Sequence, residues 1–89
     1  MSPVAASPRV RLVVRSTSGQ FEEEFNRENR VEKILDEAIR RWGLATSGVT
    51  YVIKRERGDV VMQPADKLAT YDLVDGDVII IQSSQAGDG

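Results

Sequence analysis

An apolar stripe with helical spacing, in the middle of the chain, restricts the possible folds more than any other feature. The stripe consists of Val31, Ile34, Leu35, Ala38, Ile39 and Trp42. This spacing places all six side chains on one side of an α-helix, which we predict over residues 30–42. Asn29 is the predicted N-cap, with Glu32 in capping-box register, and Gly43 is the predicted C-terminal stop. One such helix can cover one face of one sheet.

Segments with strand character lie on both sides of this helix. We predict strands over residues 9–15, 20–25, 49–54, 60–62 and 78–81. The last segment, Val78-Ile79-Ile80-Ile81, is apolar throughout, which is typical of a central strand covered at least partly on both faces. A central last strand must lie beside the first one, because two hairpins occupy the flanks. The order β-β-α-β-β-β therefore predicts an α+β fold of the β-grasp type, with one helix packed on a mixed sheet of four to five strands.

The composition excludes several function classes. The 89 residues include neither His nor Cys, so the commonest general base and the usual activated nucleophiles are missing. We therefore expect a protein that is not an enzyme, with no metal site and no cofactor. A net charge of −2 does not favour nucleic-acid binding, and no apolar run approaches the ~20 residues of a membrane span. Neither nucleic acid nor a membrane is an expected partner.

The two ends of the chain differ in composition from the centre. Residues 1–8 are rich in Pro, Ser and Ala, and residues 84–89 have no apolar side chain larger than that of Ala. We predict a disordered lead over 1–8, one domain over 9–83 and a flexible tail over 84–89. The lead has no charged segment and no long apolar stretch, so it does not resemble a secretion signal. A cytoplasmic location is therefore expected by default.

The segment before the last strand resembles the ubiquitin-like superfamily. It carries Leu68, Tyr71, Leu73 and the turn Asp75-Gly76-Asp77. Members commonly have a leucine, a tyrosine three residues later, an aliphatic residue two beyond that, and a turn of this type before the last strand. Measured from Tyr71, Gly87 falls where the superfamily places its functional glycine pair. The last four residues and the Asn-rich entry to the helix are similar to bacterial ubiquitin-like proteins encoded beside activating, conjugating and JAB-type deubiquitinating enzymes.

This resemblance implies a bacterial ubiquitin-like protein modifier. Processing would expose a C-terminal glycine, adenylation would activate it, and conjugation would attach it to a target protein. The implied partners are activating and conjugating enzymes, a deubiquitinase-like protease and the target. The implied conjugation and processing residues are Gly87, Asp88 and Gly89. Members of the superfamily that are conjugated usually end in Gly-Gly, which this chain lacks. Three possibilities therefore remain for its mature C-terminus: Gly87 after loss of two residues, Gly89 used directly, or a tail without a chemical role.

Two other functions remain open. A non-conjugated ubiquitin-like interaction module, such as the small accessory proteins of secretion machines, would have the same binding surface and an inert tail. A sulfur carrier would form a thiocarboxylate at its C-terminus, although the lack of a terminal Gly-Gly counts against it. The sequence also leaves open whether Lys33, Lys54 or Lys67 accepts a second copy of the chain.

A partner-binding patch is expected on the sheet face that the helix leaves free. If Ile79 and Ile81 point at the helix, their neighbours in the last strand point away from it, toward the first strand. The predicted partner-binding residues are Val13, Val78 and Ile80, with Arg11 and Arg15 at the rim. Exposed apolar patches usually mark binding surfaces. The alternatives to a partner protein are that loop residues cover this patch, or that a second copy of the chain covers it by self-association.

Overall fold

A computed structural model describes residues 8–84, which form a five-stranded mixed sheet with one helix against it. The elements are β1 (Arg9–Ser16), β2 (Gly19–Asn26), α1 (Glu32–Trp42), β3 (Thr50–Arg55), β4 (Val60–Met62) and β5 (Val78–Ser84). A 3₁₀ helix at Leu68–Tyr71 lies between β4 and β5. The strand order across the sheet is β2-β1-β5-β3-β4. The predicted β-grasp fold is confirmed, with five strands.

The first and last strands form the centre of the sheet. β1 and β5 run parallel, with Val13 opposite Val78 and Arg15 opposite Ile80. The other three strand pairs are antiparallel. The prediction that the apolar segment 78–81 is a central strand is confirmed, and β5 continues to Ser84.

The core lies between α1 and the sheet face toward it. Its buried residues are Val10, Leu12, Val14, Phe25, Val31, Ile34, Ala38, Ile53, Met62, Leu68, Leu73, Ile79 and Ile81. Leu35 and Trp42 pack at the margin of this cluster. Every second residue is buried from Arg9 to Arg15 of β1 and from Val78 to Ile81 of β5, as strand geometry requires when one face is covered.

The helix begins at Glu32, and its N-terminal N–H groups are satisfied by a distant loop. The Val31 N–H donates to the carbonyl of Asp66 at 2.8 Å, and the Glu32 N–H donates to that of Pro64 at 3.0 Å. No side chain caps this end, and Val31 already has a helical conformation. The predicted Asn29 cap is therefore wrong, because a tertiary contact supplies the acceptors that the first helical N–H groups need.

A buried carboxylate fixes the point at which β5 begins. Asp77 is 7% exposed and accepts two hydrogen bonds from Arg57, each 2.9 Å long. The backbone N–H of Val74 also donates to this carboxylate, at 2.9 Å. The carbonyl of Asp77 accepts the N–H of Val13 at 2.9 Å. The same residue thus ties the β3–β4 turn to the preceding loop and sets the register of β5 against β1.

The Arg57 hydrogen bonds hold the pKa of Asp77 below its ordinary value of 3.8, although burial acts in the opposite direction. The folded state therefore favours the charged carboxylate more than the unfolded chain does. This contribution to stability is present above pH 3.8 and is lost as the pH falls through the folded-state pKa.

We expect Asp77→Asn to lower the free energy of unfolding by about 2 kcal/mol at neutral pH, because it removes a charge-assisted, bidentate contact. Urea denaturation measures the loss. The difference between variant and wild type should shrink as the pH falls below 3.8, where the wild-type carboxylate becomes protonated.

Asp75→Asn is the matched control for this substitution. Asp75 is exposed, and its Oδ1 accepts the backbone N–H of Arg11 at 2.9 Å, a bond that an amide oxygen can also make. We expect a change of about 0.5 kcal/mol or less. Equal losses in the two variants, or a loss in Asp77→Asn that does not depend on pH, would contradict this account.

Candidate functional site

The sheet face opposite α1 carries the candidate site, and we call it the open face. From Arg9 to Arg15 of β1 and from Val78 to Ile81 of β5, the residues that point to α1 are buried, whereas those that point to the open face are half-buried or exposed. α1 is the one α-helix of residues 8–84, and it covers the other face. The open face is therefore the broad surface that the fold leaves available for contact.

Side chains on the open face form rows that cross the strands. The first row consists of Gln20, Arg15, Ile80, Lys54 and Val61, on β2, β1, β5, β3 and β4 respectively. The second row contains Glu22, Val13 and Val78. In both rows apolar residues lie on β5 or next to it, and charged or polar residues flank them, while Val61 ends the first row at the edge of the sheet. This is an apolar centre with a polar rim, as in many protein interfaces.

The five predicted partner-binding residues all lie on this face. Val13, Val78 and Ile80 are half-buried neighbours on the central strands. Arg15 lies beside Ile80, and Arg11 lies further back along β1, where its carbonyl accepts a hydrogen bond from the turn before β5. The structure thus brings together the residues that the alternation pattern selected. Their role in binding remains a prediction.

Sequence analysis missed three further members of the open face. Val52 and Lys54 on β3 lie beside β5, and Val61 on the edge strand β4 is 50% exposed. Alternation about the inward-facing Ile53 indicated that Val52 and Lys54 point outward. Where these residues lie relative to the apolar centre depends on the order of the strands in the sheet. The sequence patterns of β3 and β4 do not predict that order.

Exposed ion pairs border the apolar centre. Arg15 Nη1 lies 3.6 Å from Glu56 Oε2, with the two side chains 45% and 52% exposed. Lys54 Nζ lies 2.7 Å from Asp59 Oδ1. Exposed pairs of this kind contribute about 0–1 kcal/mol each. A binding partner can therefore exchange them for its own charges at little cost.

The groove between β2 and α1 is filled by the chain's own side chains. The guanidinium of Arg41 lies 4.3 Å from the ring centroid of Phe21 and donates to Glu23 at 2.9 Å. The ring of Trp42 lies 5.3 Å from that of Phe21. These contacts close the groove, in contrast to the open face.

The predicted conjugation and processing residues Gly87, Asp88 and Gly89 lie outside the described residues, as does most of the predicted lead and tail. The last described strand, β5, ends at Ser84, which pairs with Thr50 of β3. Within residues 8–84, no helix has the length and apolar character needed to cross a membrane.

Solved structures with the same architecture include ubiquitin-like domains. The C-terminal ubiquitin-like domain of human 2'-5'-oligoadenylate synthetase-like protein has a TM-score of 0.72 at 17% identity, covering 98% of this chain and 95% of that one. The ubiquitin-like domain of an Arabidopsis thaliana protein has a TM-score of 0.68 at 17% identity, with coverages of 86% and 79%. A chain of the ESX-5 inner membrane complex has a TM-score of 0.62 at 18% identity, covering 93% of this chain and 23% of that one.

These similarities, at less than 20% identity, concern the fold. No protein-family model matches the chain, and no curated protein matches it. The chain therefore has the ubiquitin-like β-grasp fold.

Two adjacent isoleucines of β5 test the assignment of the two faces. Ile79 is fully buried under α1, whereas Ile80 is half-buried on the open face. We expect Ile79→Ala to lower the free energy of unfolding by about 3 kcal/mol and Ile80→Ala by about 1 kcal/mol. Urea denaturation of both variants measures the difference. Equal costs, or a larger cost at Ile80, would contradict the assignment.

Proposed function

We propose that this chain is a ubiquitin-like protein that acts by binding other proteins through its open face, in the cytoplasm and without catalysis of its own. The proposal rests on one observation, the apolar centre that Val13, Val78 and Ile80 form on the open face. The central strand β5 is apolar toward both faces, yet α1 covers one of them. A partner protein is the cover that would bury the other.

The charged rim of the open face supports a selective contact. Arg11 and Arg15 lie on β1, and Glu22 and Glu24 lie opposite on β2. Charges of both signs around an apolar centre discriminate between partners, because a like charge on the wrong partner is unfavourable. The small apolar centre suits a reversible interaction.

A non-conjugated interaction module is one form of this function. The similarity to a chain of the ESX-5 inner membrane complex supports it, because the matching part is a fraction of a larger chain within an assembly. In this form the open face would provide the whole function, and the residues after β5 would have no chemical role.

Conjugation through the residues after β5 is the second candidate. β5 ends at Ser84, paired with the first residue of β3, and Gly87 and Gly89 follow within five residues. A protease would expose one of these glycines, an activating enzyme would adenylate it, and conjugation would join it to a target protein, as in bacterial ubiquitin-like modifiers. Glycine suits this role because its backbone can pass through a narrow channel without a Cβ clash. A sulfur carrier would use the same carboxylate.

We expect Ile80→Glu to abolish the binding of partner proteins, because it places a charge in the apolar centre of the open face. Thr70→Glu is the matched control, since Thr70 is exposed in the 3₁₀ helix and lies outside the sheet. The measurement is quantitative co-purification from the native host, with urea denaturation to show that both variants fold. Loss of the same partners in both variants, or retention in both, would contradict a role for the apolar centre.

Conjugation predicts covalent products in cells that express the chain with its neighbouring genes. Intact-mass spectrometry should show loss of the last two residues from the 9.9 kDa protein, or heavier adducts joined through Gly87 or Gly89. Gly87→Val should stop adduct formation if Gly87 is the mature end, whereas Gly89→Val should not. An unchanged protein with the enzymes present would exclude the modifier and leave the interaction module.

A further inference from the structure

A gap in the sheet lies beside the second half of β5. β1 pairs with β5 as far as Arg15 and Ile80, and the chain then turns through residues 17–18 into β2. β5 continues to Ser84 and pairs with β3 from Ile79 to Ser84. Within residues 8–84, the end of β5 therefore has a neighbouring strand on one edge only.

Two hydrogen bonds show which backbone groups face this gap. The carbonyl of Asp77 accepts the N–H of Val13 on β1 at 2.9 Å, and the carbonyl of Val78 accepts the N–H of Glu56, the residue that follows β3, at 2.8 Å. Backbone groups alternate between the two edges of a strand, so odd-numbered residues of β5 bond toward β1 and even-numbered ones toward β3. The carbonyl of Ile81 and both backbone groups of Ser83 consequently point into the gap.

Two cavities flank the gap, one on each face of the sheet. On the helix side, a cavity of about 160 Å³ is lined by the aliphatic residues Leu44, Val49 and Ile81, together with Tyr51 and with serine and threonine residues. A cavity of about 150 Å³ is large enough for benzene, so this one suits a single aliphatic side chain. On the open-face side, a groove of about 390 Å³ is lined by Ile80 and by one charged residue, Arg15.

The two cavities differ in a way that matches an extended strand. Successive side chains of a strand point to opposite faces, so a strand in the gap would place one residue in each cavity in turn. The helix-side cavity favours an aliphatic residue, and the Arg15 guanidinium favours a carboxylate. The exposed Glu56, 3.6 Å from Arg15, competes weakly with such a ligand.

A segment of a partner protein is the occupant that fits the gap. Residues 85–89 follow β5 directly and carry no apolar side chain larger than that of Ala, so they offer no aliphatic side chain for the helix-side cavity. The exposed guanidinium of Arg15 at the other cavity complements an acidic segment.

We propose that the gap binds an extended segment of a partner protein that alternates aliphatic and acidic residues. Its backbone pairs with β5 at Ile81 and Ser83, an aliphatic side chain enters the helix-side cavity, and a carboxylate contacts Arg15. This inference rests on the proposed partner-binding function and specifies one kind of partner segment.

The test is a titration of the ¹⁵N-labelled full chain with the peptide acetyl-Val-Glu-Val-Glu-Val-Glu-amide, followed by NMR. We expect shifts at Thr17, Ser18, Ile81 and Ser83, together with slower hydrogen exchange of the Ser83 amide. The matching peptide with Lys in place of Glu should bind about fivefold more weakly.

Variants on β1 and β5 separate the gap from the rest of the open face. Arg15→Glu should weaken binding of the Glu peptide about fivefold, whereas Arg9→Glu, the same charge change at the exposed start of the same strand and away from the gap, should not. Ser83→Pro removes the N–H that faces the gap and should abolish binding. If that variant unfolds, a peptide with N-methyl groups at alternate residues tests the same backbone pairing and should not bind.

Shifts confined to Val13, Val78 and Lys54, with Ser83 unchanged, would overturn the gap as the site and leave the open-face function intact. No shifts at millimolar peptide, or equal binding of the Glu and Lys peptides, would also overturn the proposal. Concentration-dependent shifts at Ser83 without peptide would assign the gap to a second copy of the chain instead. The partner-binding function is tested separately, by comparing Ile80→Glu with Thr70→Glu.

Discussion

The parallel contact between β1 and β5 is the interaction on which the rest of the structure depends. A tight turn cannot join parallel neighbours, so the whole intervening chain makes the crossover, and α1 covers one face on the way. With neighbours on both edges, β5 is apolar toward both faces, and the single helix leaves Val78 and Ile80 on the open face. Because β1 ends first, the same contact also produces the gap beside Ser83. Both candidate binding surfaces thus follow from one strand pairing.

Polar contacts hold the segment that leads into β5. The Tyr71 hydroxyl donates to Asp66 Oδ2 at 2.6 Å and accepts the N–H of Gln63 at 2.8 Å. Burial, more than the hydrogen bond to Asp66, raises the pKa of this phenol above 10.0. Leu68 and Leu73 are buried in the core, and Asp77 is paired with Arg57. The residues that resemble the ubiquitin-like superfamily therefore serve the fold, which explains why the pattern predicts an architecture better than a particular function.

The predictions that proved correct rest on local sequence patterns. The apolar stripe predicted α1, and Gly43 ends this helix in the left-handed conformation with a φ of 63°. Alternation in β5 correctly placed Ile79 and Ile81 inward and their neighbours outward. The contacts that sequence analysis missed join residues that lie far apart along the chain. The carbonyls of Pro64 and Asp66 replace the expected side-chain cap, and Val61 reaches the open face through two strand pairings. The gap could not be predicted, since it depends on where β1 stops relative to β5.

The central claim is that the open face is the surface that binds partner proteins. Position-specific photo-crosslinking in the native host tests this claim most directly. A photoreactive residue is placed at Val61 or Gln82 on the open face, and at Asp36 on the exposed side of α1 as the control. If the open face binds a partner, crosslinkers at Val61 and Gln82 should give discrete adducts of the same mass, and the crosslinker at Asp36 should give none of that mass. Adducts from Asp36 alone, or the same adducts from all three positions, would contradict it.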